Sequence, residues 1–205
     1  MSSYTDDMTE KEWEEFCEKM LRYHYGQSNF WAVPDKDSGD FGIEFYTADG
    51  TIFQCYYPDL SVDMKKYKQK IQKKINDDLK KLKEYEQGIG QILGDIKIKQ
   101  WVLLTQELKS KDLLAYCNKK KKETLVGKIS YIDGKNFQVK IETADSLPEG
   151  KLFAQNMCLK TIDIPLWEVT DTDRLLWKGG NAEFSENIVR KSNVMMGADS
   201  DKFQD

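Results

Sequence analysis

Two short predicted strands joined by a tight turn constrain the fold of this chain more than any other segment. Residues 41–56 read Phe-Gly-Ile-Glu-Phe-Tyr, then Thr-Ala-Asp-Gly, then Thr-Ile-Phe-Gln-Cys-Tyr. An Asp-Gly pair between apolar runs is a strong signal for a β-hairpin. Because side chains alternate along a strand, Gln54 and Tyr56 point to one side, which Glu44 can share. We therefore expect Glu44 and Gln54 to meet across a hairpin that turns at Asp49-Gly50.

Length and composition predict a soluble globular protein. The chain has 205 residues, 40% hydrophobic and 32% charged, enough for one domain with or without a small appendage. No apolar run approaches the ~18 residues that span a bilayer, and the polar start does not resemble a secretory signal. Four separated cysteines and a single histidine argue against a structural zinc site. We expect a cytoplasmic protein with reduced thiols and no membrane partner.

The order of the predicted elements indicates an α/β fold with a mixed central sheet flanked by helices. Capping signals and hydrophobic periodicity predict a helix over 10–25, a strand over 30–33, the central hairpin, one or two helices over 62–93 and a strand over 96–105. A helix then begins at Ser110 and ends at lysines 119–122, and a second hairpin over 123–143 turns at Asp133-Gly134. An irregular stretch over 161–173 and a helix over 182–194 complete the prediction. We divide the chain into a domain over 1–145 and an extension over 146–205 that docks on a partner.

Lysines are concentrated in the long predicted helix. Between Asp63 and Glu84 nine lysines face four acids, a local charge of +5 in a chain whose net charge is −4. Such a run fits either the solvated face of a helix or a surface that contacts phosphates. The second interpretation assigns nucleic-acid binding to Lys65, Lys66, Lys70, Lys73 and Lys74.

The hairpin and its neighbours resemble the restriction-endonuclease-like superfamily, the PD-(D/E)XK nucleases, and within it the Mrr-like branch. That branch carries a helix with a glutamate, a Gly-x-Asp-Gly-Gly-Ile-Asp motif and a Gln-x-Lys strand. The matching positions are Glu14 or Glu15, the run Gly-Asp-Phe-Gly-Ile-Glu over 39–44 and Gln-Cys-Tyr over 54–56. The chain is also similar to bacterial proteins found around mobile elements and phage-defence genes, which share these motifs followed by Lys-Ile-x-x-Asp and Trp-Val-Leu-Leu-Thr. The resemblance covers about residues 10–125.

This resemblance implies a restriction-endonuclease-like core and a DNA endonuclease that uses Mg²⁺ or Mn²⁺, whose oxygen preference suits carboxylate and amide ligands. The implied metal ligands are Asp40, Glu44, Gln54, and Glu14 or Glu15. The implied catalytic residues are Glu44, Gln54, Tyr56 and Lys74. Tyr56 occupies the position of the family's lysine and carries no positive charge near neutral pH. Lys74, with Asp78 one turn later, is the candidate replacement, unless the two form an ordinary surface ion pair.

Three classes of function remain open at this point. The first is the nuclease subunit of a bacterial anti-phage defence or restriction system. This subunit would act on DNA, and copies of it could form a homo-oligomer. The second is a degenerate nuclease fold that binds nucleic acid or a protein partner. The third is a scaffold whose charged helix docks a larger ATPase or another subunit of a defence complex. The chain itself has no phosphate-binding glycine loop and no Ser-His-Asp pattern.

Overall fold

The computed structural model of the protein describes residues 8–34, 41–158, 171–182, 186–187 and 190. Two compact units separate between Lys160 and Thr161. The described part of the first unit contains five α-helices and five strands in this chain order: α1 (Glu10–Tyr25), β1 (Phe30–Ala32), β2 (Phe45–Thr47), β3 (Thr51–Cys55), α2 (Met64–Glu84), α3 (Glu86–Leu93), β4 (Gln100–Leu104), α4 (Lys111–Val126), β5 (Gln138–Glu142) and α5 (Pro148–Cys158).

The helix starts follow from local capping chemistry. The Thr9 side chain accepts a hydrogen bond from the Glu12 amide while the Glu12 carboxylate accepts one from the Thr9 amide, which is the predicted capping box of α1. Asp63 caps α2 through the Lys66 amide, and Ser110 caps α4 as predicted. Because each cap satisfies amides that lack a partner within the helix, these boundaries were accessible from the sequence.

The five strands form one mixed sheet in the order β1-β2-β3-β4-β5. The first three strands run antiparallel, and β3, β4 and β5 are parallel. Parallel neighbours need a crossover, which α2 with α3 provides between β3 and β4, and α4 between β4 and β5. The predicted α/β class with a mixed sheet flanked by helices is confirmed.

Each face of the sheet has its own apolar core. On one face, Ile52, Trp101 and Leu103 pack with α2, α3 and α4. On the other, residues such as Phe53 and Val102 pack with α1 and α5. A strand covered on both sides is buried at every position, as all five residues of β3 are. Gln54 near the end of β3 and Asp78 on α2 are among the polar residues buried in the described part of the chain.

The predicted hairpin over 123–143 is wrong. Residues up to Val126 continue α4, since the lysine cluster at 119–122 and the residues after it are compatible with a helix and do not end it. β5 pairs with β4 in parallel rather than with an upstream strand, and Ile132 bridges Ile98 in the same direction. The Asp133 carboxylate accepts hydrogen bonds from two following amides, so this segment forms a local turn.

The first unit extends beyond the boundary expected at residue 145. α5 packs on α1 so closely that a Cβ atom at Gly150 would lie 2.6 Å from the Met20 carbonyl oxygen. The rings of Tyr23 and Phe153 stack beside this contact, with centroids 4.6 Å apart. The segment expected to begin a separate extension thus supplies α5, which is part of the helical layer over the sheet.

In the second unit, α6 (Asp171–Gly180) begins inside the segment expected to be irregular. It exposes Leu175, Leu176 and Trp177. Of the helix predicted over 182–194, the residues described as helical are 182, 186, 187 and 190, and the rest lies outside the described residues. No helix in the described part of either unit has the length and apolar character needed to cross a membrane.

Candidate functional site

Glu44 and Gln54 meet across the central hairpin, as the alternation of its side chains predicts. Phe45 pairs with Phe53, so the next position places Glu44 opposite Gln54. Gln54 Nε2 donates to Glu44 Oε1 at 2.6 Å, and the Cys55 amide donates to Glu44 Oε2 at 2.6 Å. Both carboxyl oxygens are therefore held by donors on the neighbouring strand.

The turn that sets this register requires glycine at position 50. Gly50 has φ +90°, and a Cβ atom there would lie 2.2 Å from the Lys97 carbonyl oxygen. Its own carbonyl oxygen accepts a hydrogen bond from the Lys99 amide at 2.7 Å. The same turn thus fixes the hairpin and joins it to the chain entering β4.

A cavity of about 210 Å³ opens at the end of β3 between α1 and α2. Its lining combines three carboxyl groups, one amine and several aromatic side chains: Glu10, Trp13, Glu14, Glu44, Cys55, Tyr56, Tyr57 and Lys74. Four separate segments of the chain converge here, because α1 and α2 cover opposite faces of the sheet and both pass the end of β3. Of the predicted metal ligands and catalytic residues that the structure describes, Glu14, Glu44, Tyr56 and Lys74 line this cavity.

Glu44 is partly buried, and this burial dominates its chemistry. Desolvation raises the pKa of Glu44 to about 8, while the positive charge of Lys74 and the Cys55 amide oppose the shift and Glu14 adds to it. Burial also raises the pKa of Tyr56, with Glu10 adding to the rise and Lys74 opposing it. These influences place Glu10, Glu14 and Lys74 within electrostatic range of the cavity's two central groups.

Lys74 reaches the cavity from α2 and forms an ion pair with a buried acid. Its Nζ atom lies 3.1 Å from Asp78 Oδ2, and Lys81 Nζ lies 3.4 Å from Asp78 Oδ1. The Asp78 side chain is only 2% exposed. The alternative of an ordinary surface pair therefore does not describe these residues.

The structure separates the predicted site residues into three groups. Glu14, Glu44, Tyr56 and Lys74 line the cavity, whereas Glu15 is exposed on α1 and does not. Gln54 is buried behind Glu44, so it contacts the cavity through that residue. Asp40 lies outside the described residues.

Sequence reasoning missed Glu10, although a signal was present. Glu10 precedes Glu14 by four residues on a predicted helix, and side chains at this spacing lie on one face. Any prediction that places Glu14 in the site therefore also brings Glu10 toward it.

The oxygen donors here are of the kind that Mg²⁺ and Mn²⁺ bind. Gln54 Oε1 is buried and has no hydrogen-bond partner among the described residues, and the carboxyl groups of Glu44 and Glu14 face the adjoining cavity. Across those same residues, no three His, Cys, Asp or Glu side chains are gathered closely enough to hold a metal ion. The donor chemistry thus fits a hard divalent cation, with one or two carboxylates rather than a complete protein cage, as Mg²⁺ commonly accepts.

The predicted phosphate-contacting lysines lie along the outside of α2. Lys65, Lys66, Lys70 and Lys73 are exposed. Lys66, Lys70 and Lys74 follow one another at intervals of four residues, which places them on one face of the helix. We call these three residues the lysine row. It leads along α2 to the cavity, where Lys74 is its last member.

Comparison of the chain with family models, with curated proteins and with solved structures found no match in any of the three.

Proposed function

We propose that this protein is a metal-dependent phosphodiesterase that cleaves DNA, with a variant site in which Lys74 replaces the strand lysine of related nucleases. The observation that carries the proposal is the meeting of Glu44, Gln54 and Lys74 at the cavity end of the hairpin. The two sides of one hairpin supply an acid and an amide, and the helix that follows supplies a cation to the same place. A role in bacterial DNA restriction or phage defence is part of the proposal, on the resemblance alone.

The order of elements adds support. A helix, a strand, an antiparallel hairpin, a two-helix crossover and a parallel strand follow one another in this chain, and this order resembles that of the restriction-endonuclease-like core. The acid and amide lie on the hairpin, as they do in the nucleases that the sequence resembles. The proposal therefore depends on position in the fold as well as on residue type.

The predicted site residues have tasks in phosphodiester hydrolysis, in which the oxygen of water bonds to phosphorus, one phosphorus–oxygen ester bond breaks and the leaving oxygen takes up a proton from the water. A bound Mg²⁺ or Mn²⁺, held by Glu44 with Glu14 and the Gln54 oxygen, would supply charge neutralisation on the phosphate. Lys74 places a positive charge where negative charge develops. Tyr56 donates one hydrogen bond to an oxygen of the substrate or of water.

The protonation of Glu44 makes the proposed activity sensitive to pH. A pKa of about 8 means that the carboxyl group is mostly neutral at pH 7 in the metal-free protein. Metal ligands must lose their proton, so metal binding and proton release are coupled. We expect metal-dependent cleavage to rise with pH through about 8, where half of Glu44 is ionised in the metal-free protein.

The test is cleavage of supercoiled plasmid DNA by purified protein with Mg²⁺ or Mn²⁺, with EDTA as the metal-free condition. Glu44→Ala should abolish cleavage, and Glu15→Ala is the matched control because Glu15 is exposed on α1 and does not line the cavity. Cleavage that persists in Glu44→Ala protein free of contaminating nuclease would place the chemistry elsewhere.

One observation favours a second candidate function, a non-catalytic nucleic-acid-binding module. Tyr56 stands where related nucleases have lysine, and no complete set of metal ligands is gathered in the described part of the chain. This candidate predicts DNA binding with no cleavage under any metal, and no saturable metal site in a titration. The same assay therefore decides between the two functions.

A further inference from the structure

We propose that Asp78 is a positioning residue that holds the amine of Lys74 at the cavity. This inference rests on the proposed function, in which Lys74 supplies the cation of the reaction. Asp78 itself does not line the cavity, so it acts through Lys74. In this role, a buried carboxylate converts a long flexible side chain into a fixed charge.

The burial of Asp78 carries the argument. A carboxylate that is 2% exposed has lost its hydration, and such a group persists only when cations or hydrogen-bond donors replace the water. Lys74 and Lys81 provide those cations, at 3.1 Å and 3.4 Å from its two oxygens. Each oxygen thus has its own ammonium group, and the contact of Lys74 with Oδ2 is an ion pair without a hydrogen bond.

Helix geometry places the two lysines on opposite sides of Asp78 along the helix axis. Lys74 is four residues before Asp78 and Lys81 is three residues after it, so both lie on the face that Asp78 occupies. Lys74 is the more enclosed of the two, with 24% of its side chain exposed against 39% for Lys81. Lys74 turns toward the cavity, and Lys81 lies almost two helical turns after it in the chain.

Lys81 links this cluster to the segment that carries Glu44. A Cβ atom at Gly42 would lie 2.7 Å from Lys81 Cδ, so the chain two residues before Glu44 packs directly on the Lys81 stem. Gly42 also has φ +80°, a conformation that L side chains rarely adopt. Asp78 therefore lies between a lysine that lines the cavity and a lysine that packs on the turn leading to Glu44.

An exposed ion pair does not fix a lysine in this way. Exposed pairs are screened by salt, and their side chains exchange partners with water. A buried acid has no such alternative partner, so its lysine stays in one place. This difference is what the experiment measures.

The first measurement is amine acetylation followed by mass spectrometry, which reports on Lys74 whether or not the protein cleaves DNA. In Asp78→Asn, which keeps the size of the side chain, we expect labelling of Lys74 to rise several-fold. The exposed Lys73 and Lys80 of the same helix are internal references and should be unchanged. Equal labelling of Lys74 in the variant and the wild-type protein would overturn the proposal.

Should Asp78→Asn fail to fold, the wild-type protein provides the second measurement. Labelling of Lys74 should change little when salt is raised, because buried pairs are poorly screened. Labelling of Lys119, paired with Glu123 at 3.8 Å on the surface, should rise. An equal rise at both lysines would overturn the proposal.

A double-mutant cycle, measured by DNA cleavage, then separates the positioning of Lys74 from a general loss of stability. Asp78→Asn should lower kcat with little change in KM, and should cause no additional decrease in Lys74→Ala protein. An equal fold-decrease in both backgrounds means that Asp78 acts without Lys74 and overturns the proposal. If the wild-type protein does not cleave DNA, the proposed function fails, and acetylation alone still decides whether Asp78 holds Lys74.

Discussion

Two lysine–acid clusters on neighbouring helices have almost the same sequence spacing and different environments. The inner cluster is Lys74, Asp78 and Lys81 on α2, and the outer cluster is Lys119, Lys120 and Glu123 on α4. In each, a lysine precedes the acid by four residues and a second lysine lies three residues from it. The inner acid is 2% exposed, whereas the outer acid is 47% exposed.

The difference shows that the burial of the acid, rather than the spacing of the residues, decides how firmly an ion pair holds its lysine. The carboxylate of Glu123 remains hydrated, and a hydrogen bond from Lys120 lowers its pKa. Asp78 has exchanged water for two ammonium groups, one of which lines the cavity beside Glu44. The inner cluster therefore holds Lys74 through an acid that has lost its water, whereas the acid of the outer cluster keeps its hydration. Four predictions test this contrast, beginning with the largest expected effect.

The largest effect concerns cleavage. Lys74→Ala should reduce cleavage by ~10²–10³-fold, the usual decrease when one electrostatic stabiliser of a transition state is removed. Lys119→Ala, at the matching position of the outer cluster, should leave cleavage within about twofold of wild type, since surface substitutions are usually near neutral. Initial rates of plasmid nicking with saturating metal provide the measurement. Comparable decreases in both variants would remove the functional distinction between the clusters.

The second prediction concerns pH and Glu44. Because burial raises its pKa from the ordinary 4.5 to about 8, the folded state binds more protons than the unfolded state between these values. The free energy of unfolding should therefore fall as pH rises across this window, by up to about 1.4 kcal/mol for each pH unit. Glu44→Gln cannot ionise and should lose this dependence, as urea unfolding at pH 5, 6, 7 and 8 in EDTA can measure.

Glu123→Gln is the control for that series. The pKa of Glu123 is lowered, so its contribution to stability is present above its ordinary pKa and is lost only on acidification. Between pH 5 and 8 this variant should follow the wild-type curve. A wild-type protein whose stability does not decline across this range, or a Glu44→Gln variant that declines equally, would show that burial does not control this carboxyl group.

The sequence predicted the hairpin site better than the inner cluster, for a physical reason. Pairing of Glu44 with Gln54 follows from strand alternation and a recognisable turn, which are local rules. Burial of Asp78 depends on how α2 lies against the sheet, which no local rule specifies. The sequence could name Lys74 and Asp78 as neighbours but could not distinguish a surface pair from a buried one.

The error over residues 123–143 has the same origin. Alternation correctly marked Val139 and Ile141 as strand positions, and both are buried. Their pairing with β4 is parallel and requires the crossover through α4, so it depends on contacts distant in sequence. An Asp-Gly pair favours a turn and does not by itself specify which strands the turn joins.

The third prediction concerns stability. Asp78→Asn should lower the free energy of unfolding by ~1–3 kcal/mol, because it removes two charged interactions from a buried position. The decrease should stay below that for a fully enclosed pair, since both lysines retain some access to water. Glu123→Gln should leave the free energy of unfolding nearly unchanged, because an ion pair with an exposed acid contributes little. Urea unfolding at pH 7 provides both values, and equal changes would mean that depth does not matter.

The smallest effect concerns the lysine row and DNA binding, measured in a Glu44→Ala background so that the DNA stays intact. If Lys66 and Lys70 bind phosphates, reversing both charges to Glu should lower the magnitude of the slope of log affinity against log salt by about 0.9 for each phosphate that is no longer neutralised. The control reverses Lys119 and Lys122 on α4, which changes the net charge of the protein equally. A general charge effect would change both slopes alike, whereas phosphate binding along α2 requires a change only in the first variant. An unchanged slope in the α2 variant would leave Lys66 and Lys70 as the solvated face of the helix, with DNA approaching the cavity from another side.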